Sequence, residues 1–226
     1  MLSRHEEKYI LTYAQYAILR QRALMALLPD THGDRGTYTI TSLYYDDPRD
    51  TGLYEKLDGL ALHSKFRVRT YDHNEGFIKL ERKDKQGILT QKTSAPIEKH
   101  QLEILTEPGA WEVFSGTAQT LVQEMQAKAL RPVVGIRYVR DAFYHPGSDF
   151  RLTFDRNIEV IPPDALALTD GSVSGLTALA PGSVVMEIKY GDHLPAFARK
   201  LTRIQAPQLS LSKYALCREQ IGDFSL

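Results

Sequence analysis

The chain has 226 residues, of which 42% are hydrophobic and 25% charged, values that exclude a disordered or fibrous polymer and fit one globular domain over the whole length. Its 28 Lys and Arg residues balance 28 Asp and Glu residues, which excludes a generally basic, nucleic-acid-coating surface and makes the local sorting of charge the informative quantity. The lone cysteine, Cys217, forms no internal disulfide; with no apolar leader and no run near the ~20 apolar residues of a membrane span, a reducing, cytoplasmic location is expected.

In chain order, Thr12 and Gln15 read as a capping box, and Tyr16, Leu19, Ala23 and Leu27 follow at helical spacing up to Pro29-Asp30, which predicts an amphipathic helix. Thr37 to Tyr45 is a Thr-, Ile- and Tyr-rich strand that runs into an Asp46-Asp47-Pro48 turn and a short helix. Strands are predicted over Ser64 to Tyr71 and Gly76 to Lys83, and a helix over Glu112 to Leu130, closed by Pro132. Strands Val133 to Phe143 and Phe150 to Ile158 come next, and then an aperiodic connection from Pro162 to Gly182. A strand over Val184 to Tyr190, a helix over Pro195 to Ile204 and a last helix after Ser212 complete a strand-dominated α+β chain.

On the strands, charge follows a period of two. Lys65, Arg67 and Arg69 share one face, with Phe66 and Val68 on the other; Lys79, Glu81 and Lys83 alternate with Ile78, Leu80 and Arg82. Arg151, Thr153 and Asp155 stand opposite Leu152 and Phe154, and Glu187 and Lys189 opposite Val184, Met186 and Ile188. One such strand alone reads as a half-solvated antiparallel sheet. Repetition over four strands, with Glu-x-Lys at Glu6/Lys8, Glu81/Lys83 and Glu187/Lys189, weakens that reading and sets beside it, on equal terms, charged faces turned into a barrel interior with apolar faces covered by helices.

Arg4-x-Glu6-x-Lys8-Tyr9, Ser42-Leu43-Tyr44-Tyr45-Asp46, Glu55-Lys56-Leu57-Asp58-Gly59, Lys65-x-Arg67-x-Arg69, Glu81-Arg82-Lys83, Glu187-Ile188-Lys189 and Ser212-Lys213-Tyr214 occur in that order. Together they resemble the VTC-type polyphosphate polymerase domain of the triphosphate tunnel metalloenzyme (CYTH-like) superfamily. The resemblance implies an eight-stranded antiparallel β-barrel, or tunnel, with flanking helices. It also implies a nucleoside triphosphate such as ATP as substrate, inorganic polyphosphate as product, and a divalent metal, Mn2+ or Mg2+. Carried over by position, it points to Lys8, Arg67, Arg69, Lys83, Lys92, Arg137 or Arg140, Arg151 and Lys213 as phosphate ligands and to Glu187 as metal ligand. The charge pattern adds Arg4, Lys65, Lys79 and Lys189 as substrate contacts and Glu6 as a second metal carboxylate. Arg4 replaces the first Glu of the Glu-x-Glu-x-Lys start usual in the tunnel phosphatases, which favours the polymerase branch. Two choices stay open: Lys79 competes with Lys83 by alternation, and Arg137 and Arg140 point to opposite faces.

This chemistry suits such a site. A cation 4 Å from a phosphate oxygen contributes about 4 kcal/mol at an effective dielectric of 20, Arg forks phosphate and Lys acts as a movable point charge. When the acceptor is itself a phosphate its attacking oxygen is already ionised, so screening of charge matters more than a general base. The expected reaction is polyphosphate synthesis from ATP with release of ADP; a tri- or polyphosphate hydrolase and a non-catalytic polyphosphate-binding module are the alternatives. No nucleic-acid partner is expected, and a membrane partner stays open. The seven histidines lack metal-ligand spacing, Gly33, Gly36 and Gly87 make no phosphate cradle, and Tyr44, Tyr45, Tyr71, Tyr138 and Tyr190 read as packing, with one of them left to contact a base.

Overall fold

The computed structural model describes residues 5–87, 89–105 and 107–221; Arg4 lies outside them. The alternating segments form strands as expected, and they build an antiparallel sheet of ten strands flanked by helices. In chain order the strands are β1 (His5–Leu11), β2 (Leu28–Pro29), β3 (Thr37–Asp46), β4 (Leu62–Tyr71), β5 (Ile78–Gln86), β6 (Leu89–Ile97), β7 (Arg131–Tyr144), β8 (Arg151–Ile161), β9 (Leu176–Thr177) and β10 (Val184–Tyr190). Eight of them follow the path β1-β10-β8-β7-β3-β4-β5-β6, while the short β2 pairs with β7 and the short β9 with β8.

The helices are α1 (Tyr13–Ala26), α2 (Thr51–Leu57), α3 (Lys99–Glu103), α4 (Gly116–Ala127), α5 (Leu166–Thr169), α6 (Ala196–Leu201) and α7 (Lys213–Gln220). The capping box at Thr12 and Gln15 is formed: the Thr12 hydroxyl accepts from the Gln15 amide and the Gln15 side chain accepts from the Thr12 amide. The expected helix from Glu112 to Leu130 is broken. A 3-10 turn (Ala110–Val113) precedes α4, because Phe114 and Ser115 are extended and Gly116 takes a positive φ of 54°. The helix expected over Pro195 to Ile204 is shorter, and the connection from Pro162 to Gly182 is irregular apart from α5 and β9. None of these helices is long and apolar enough to cross a membrane.

The fold divides into two compact units. The first holds residues 5–39, 138–158 and 177–212. Its core packs α1 and α6, through Tyr16, Leu19, Ala23, Ala198 and Leu201, on the apolar face formed by Phe150, Leu152, Phe154, Val184, Met186 and Ile188. The second holds residues 40–137, 159–176 and 213–221. There, Leu121, Val122 and Met125 of α4, with Leu102, Leu105 and Phe114, cover Leu43, Phe66, Val68, Ile78, Leu80, Ala95 and Ile97. Burying each of these large side chains is worth about 1.5–3 kcal/mol. In the first unit α1 and α6, and in the second α3 and α4, occupy the apolar side of the strands, so the charged residues at alternate positions lie on the other side.

Candidate functional site

In the second unit the pairing register assembles the cations. Arg69 lies opposite Ser42 on β3 and Lys79 on β5, Arg67 opposite Tyr44 and Glu81, and Lys65 opposite Lys83, which is in turn opposite Lys92 on β6. Lys65, Arg67, Arg69, Lys79, Lys83 and Lys92 thus share one sheet face with two carboxylates, Glu81 and Asp46. Asp46 is engaged elsewhere: it accepts from the amides of Asp47, Gly52 and Leu53, where α2 begins, and from the Tyr214 hydroxyl. Its neighbour Asp47 makes the expected turn, accepting from the amides of Arg49 and Thr51.

Glu81 organises the arginine and lysine heads. It is 1% exposed; one oxygen accepts from Arg67 Nε at 2.8 Å and Nη2 at 2.7 Å, the other from Lys92 Nζ at 2.7 Å. Burial by itself raises a carboxyl pKa, but the charges of Arg67 and Arg69 and the Lys92 contact outweigh it and hold Glu81 down at about 2. Arg67 Nη1 donates to the Tyr44 hydroxyl at 3.1 Å, and Arg69 Nε to Ser42 Oγ at 3.1 Å. Helix α7 brings Tyr214 onto Tyr44 with ring centroids 5.3 Å apart, Lys65 Nζ lies 5.1 Å from the Tyr214 ring, and Lys213 opens the same helix. Both lysines left open by alternation, Lys79 and Lys83, are on this face; Lys79 Nζ rests 4.3 Å from the Phe77 ring.

The first unit carries a different mixture. Glu6 lies opposite Lys189 and Lys8 opposite Glu187, while Glu187 faces Thr153 and Lys189 faces Arg151 on the other side. Lys8 Nζ is 2.7 Å from Glu6 and donates to the Leu211 carbonyl at 3.1 Å. Lys189 Nζ stands 2.5 Å from Glu187 and 3.8 Å from Glu6. Arg140 forks Asp155 at 2.7 and 2.8 Å. Burial opposes its charge, yet Asp155 keeps the guanidinium pKa well above its ordinary value. Arg137 belongs to the second unit, where it is held by Glu159 and by the carbonyls of Gly171 and Val173. Of the two arginines, Arg140 stands on the charged face. Arg151 is on the same strand face as Thr153 and Asp155 and is open to solvent.

Among the described residues no three His, Cys, Asp or Glu side chains cluster as a metal cage. The donor set of the first unit still fits a divalent ion of the magnesium kind, which takes one or two protein carboxylates and completes its shell with water and phosphate. Glu6 and Glu187 share one cation already, the Lys189 ammonium. Beside Glu187, the Thr153 hydroxyl is buried and has no hydrogen-bond partner among the described residues. Ser42 and Tyr44, present in the sequence as a motif with Tyr44 read as packing, pair with the two arginines; their position at alternate sites of β3 is the signal for that pairing.

The antiparallel sheet of ten strands with flanking helices has counterparts among solved structures. The chain resembles the PH1819 protein of Pyrococcus horikoshii OT3 at a TM-score of 0.51 and 12% identity, covering 96% of this chain and 98% of that one. It also resembles a candidate adenylate cyclase of Bacillus halodurans at a TM-score of 0.50 and 12% identity, covering 88% and 87%. No curated protein sequence matches. The VTC domain model matches residues 3–221, and the chain belongs to the VTC domain family. Membership bears out the resemblance read from the motifs and gives the chain a role related to polyphosphate or triphosphate.

Proposed function

We propose that this protein is a polyphosphate polymerase that transfers the terminal phosphate of ATP to a growing inorganic polyphosphate chain. The observation that carries the reading is the charge imbalance in the second unit, where seven Lys and Arg side chains on three paired strands, Lys85 among them, share a face with Glu81 and the already engaged Asp46. Such a surplus is costly without a polyanion and suits one with several phosphates. Lys65, Arg67, Arg69, Lys79, Lys83, Lys92 and Lys213 act as its phosphate contacts. Lys8, Arg140, Arg151 and Lys189 are phosphate contacts of the first unit.

Arg67 and Arg69 are pre-oriented by Glu81, Tyr44 and Ser42, so little rotamer freedom is lost on binding. Their charge, with that of the lysines, screens the repulsion between donor and acceptor phosphates, both of them anionic. Glu6 and Glu187 would hold a divalent metal, Mn2+ or Mg2+, which would supply neutralisation of charge on phosphate oxygens. Lys189, which sits beside both carboxylates, would serve as a phosphate contact.

Incubation of the purified protein with γ-labelled ATP and Mn2+, resolved on a gel, tests the reading. Long labelled products together with ADP are expected. Labelled orthophosphate without polymer would assign hydrolysis instead, and nucleotide binding without turnover a binding module.

A further inference from the structure

The environment of Tyr44 contains one hydrogen-bonding capacity that the described residues leave unused. The residue is 9% exposed, and its hydroxyl oxygen accepts from Arg67 Nη1 at 3.1 Å. Among the described residues nothing accepts the Tyr44 proton. The ring is held in place by its stack on Tyr214, whose own hydroxyl donates to Asp46. The charged groups around it are Lys65, Arg67 and Arg69 of β4, Glu81 of β5 on the far side of Arg67, and, through Tyr214, Asp46 and Arg218. A buried O–H whose lone pair already serves a guanidinium, and whose proton is free amid cations, matches the needs of an anion.

We propose that the Tyr44 hydroxyl contacts the substrate, donating its proton to a non-bridging phosphate oxygen of the polyanion held by Arg67 and Arg69. This rests on the phosphate-binding reading of the second unit and adds to it a neutral donor that makes binding depend on pH. Burial alone would raise the phenol pKa, but Arg67, Arg69 and Lys65 prevail and bring it to about 8 in the free protein. A phosphate accepting the proton adds negative charge beside it and moves the titration upward. Binding above that pH therefore requires uptake of the proton, and affinity falls as pH rises.

The experiment follows tripolyphosphate binding by calorimetry from roughly pH 6 to 9, with wild type and Tyr44→Phe, alongside NMR of protein carrying 13Cζ-labelled tyrosine. One resonance, missing in Y44F, should titrate near 8 in the free protein and at higher pH when tripolyphosphate is bound. Y44F should bind roughly tenfold more weakly at pH 7. The ratio of wild-type to Y44F affinity should shrink above pH 8, because only the wild type loses the donor; titration of the ligand and of the lysines is common to both. If tripolyphosphate binds but leaves the resonance unmoved, or Y44F matches the wild type throughout, the inference is overturned and the phosphate site stands. If tripolyphosphate binds neither protein, the phosphate site falls and this inference with it. Should Y44F fail to fold, the resonance shift in the wild type decides alone.

Discussion

The two units use the same alternation of charged and apolar residues and reach different electrostatic ends. In the first, cations and carboxylates pair nearly one to one: Lys8 with Glu6, Lys189 with Glu187, Arg140 with Asp155. In the second, one buried carboxylate, Glu81, serves Arg67 and Lys92 together while like charges stand directly opposite one another at Arg69/Lys79 and along Lys65/Lys83/Lys92. Opposed like charges weaken a sheet by roughly 0.2–1 kcal/mol per pair. A balanced face holds itself together, whereas an unbalanced one is stable in proportion to the anion it meets. On the proposed function, this difference would put metal-holding carboxylates in the first unit and phosphate-holding cations in the second.

The largest effect should come from breaking the balanced face. Arg140→Ala removes the bidentate partner of Asp155, which is 0% exposed, and should cost about 3–5 kcal/mol, read as a fall in Tm of roughly 6–20 °C. Arg67→Ala should cost less, about 1–3 kcal/mol, because Glu81 keeps Lys92. If the two variants melt together, the contrast between balanced and unbalanced faces is wrong. Acid tests the same carboxylate next. Glu81 is depressed from its ordinary 4.5 to about 2 in the folded protein, so its contribution is whole above pH 4.5 and is lost as pH falls from there toward 2. The stability at stake is on the order of 3 kcal/mol, and Glu81→Gln should flatten that part of a denaturation-against-pH curve.

Much of this contrast was legible before any coordinates. The period-two runs around Arg67, Glu81, Asp155 and Glu187 are local patterns, and local patterns survive into strands because a one-residue slip would bury the charges and expose Phe66 or Phe154. Strand β6 was missed because Leu89–Ile97 is largely polar and contains Pro96, a composition tolerated at the end of the strand path. The choice between Arg137 and Arg140 could not be made, since it depends on partners such as Asp155 and Glu159 supplied by another strand. Tyr44 looked like packing for the same reason. Its contact with Arg67 spans 23 residues and exists only through the register of β3 on β4.

Ligand binding should reverse the ordering seen on mutation. At a hundredfold excess over its dissociation constant, tripolyphosphate should stabilise the protein by about 2.7 kcal/mol, a rise in Tm of roughly 5–11 °C for a chain of this length, and the rise should shrink in high salt. Glu187→Gln should keep that metal-free rise and lose any further increment given by Mn2+. An E187Q protein that no longer responds to tripolyphosphate without metal would show that the carboxylate of the first unit governs phosphate affinity as well, and the division of labour would fail.

The smallest expected effect sharpens the comparison most finely. Lys79 stands opposite Arg69 and rests against Phe77. In Lys79→Met the lost cation–π contact, worth about 0.5–1 kcal/mol, is offset by relief of the like-charge pair, worth roughly 0.2–1 kcal/mol. Stability by urea denaturation should therefore stay within about 0.5 kcal/mol of wild type. Tripolyphosphate affinity should still fall, because the face loses a cation without losing structure. Lys83 lies between Lys65 and Lys92 in a row of three ammonium-bearing strands, so Lys83→Met should weaken binding more than K79M does. Equal losses would place both lysines on the phosphate path, and no loss in K79M would leave Lys83 as the lysine that alternation alone could not choose.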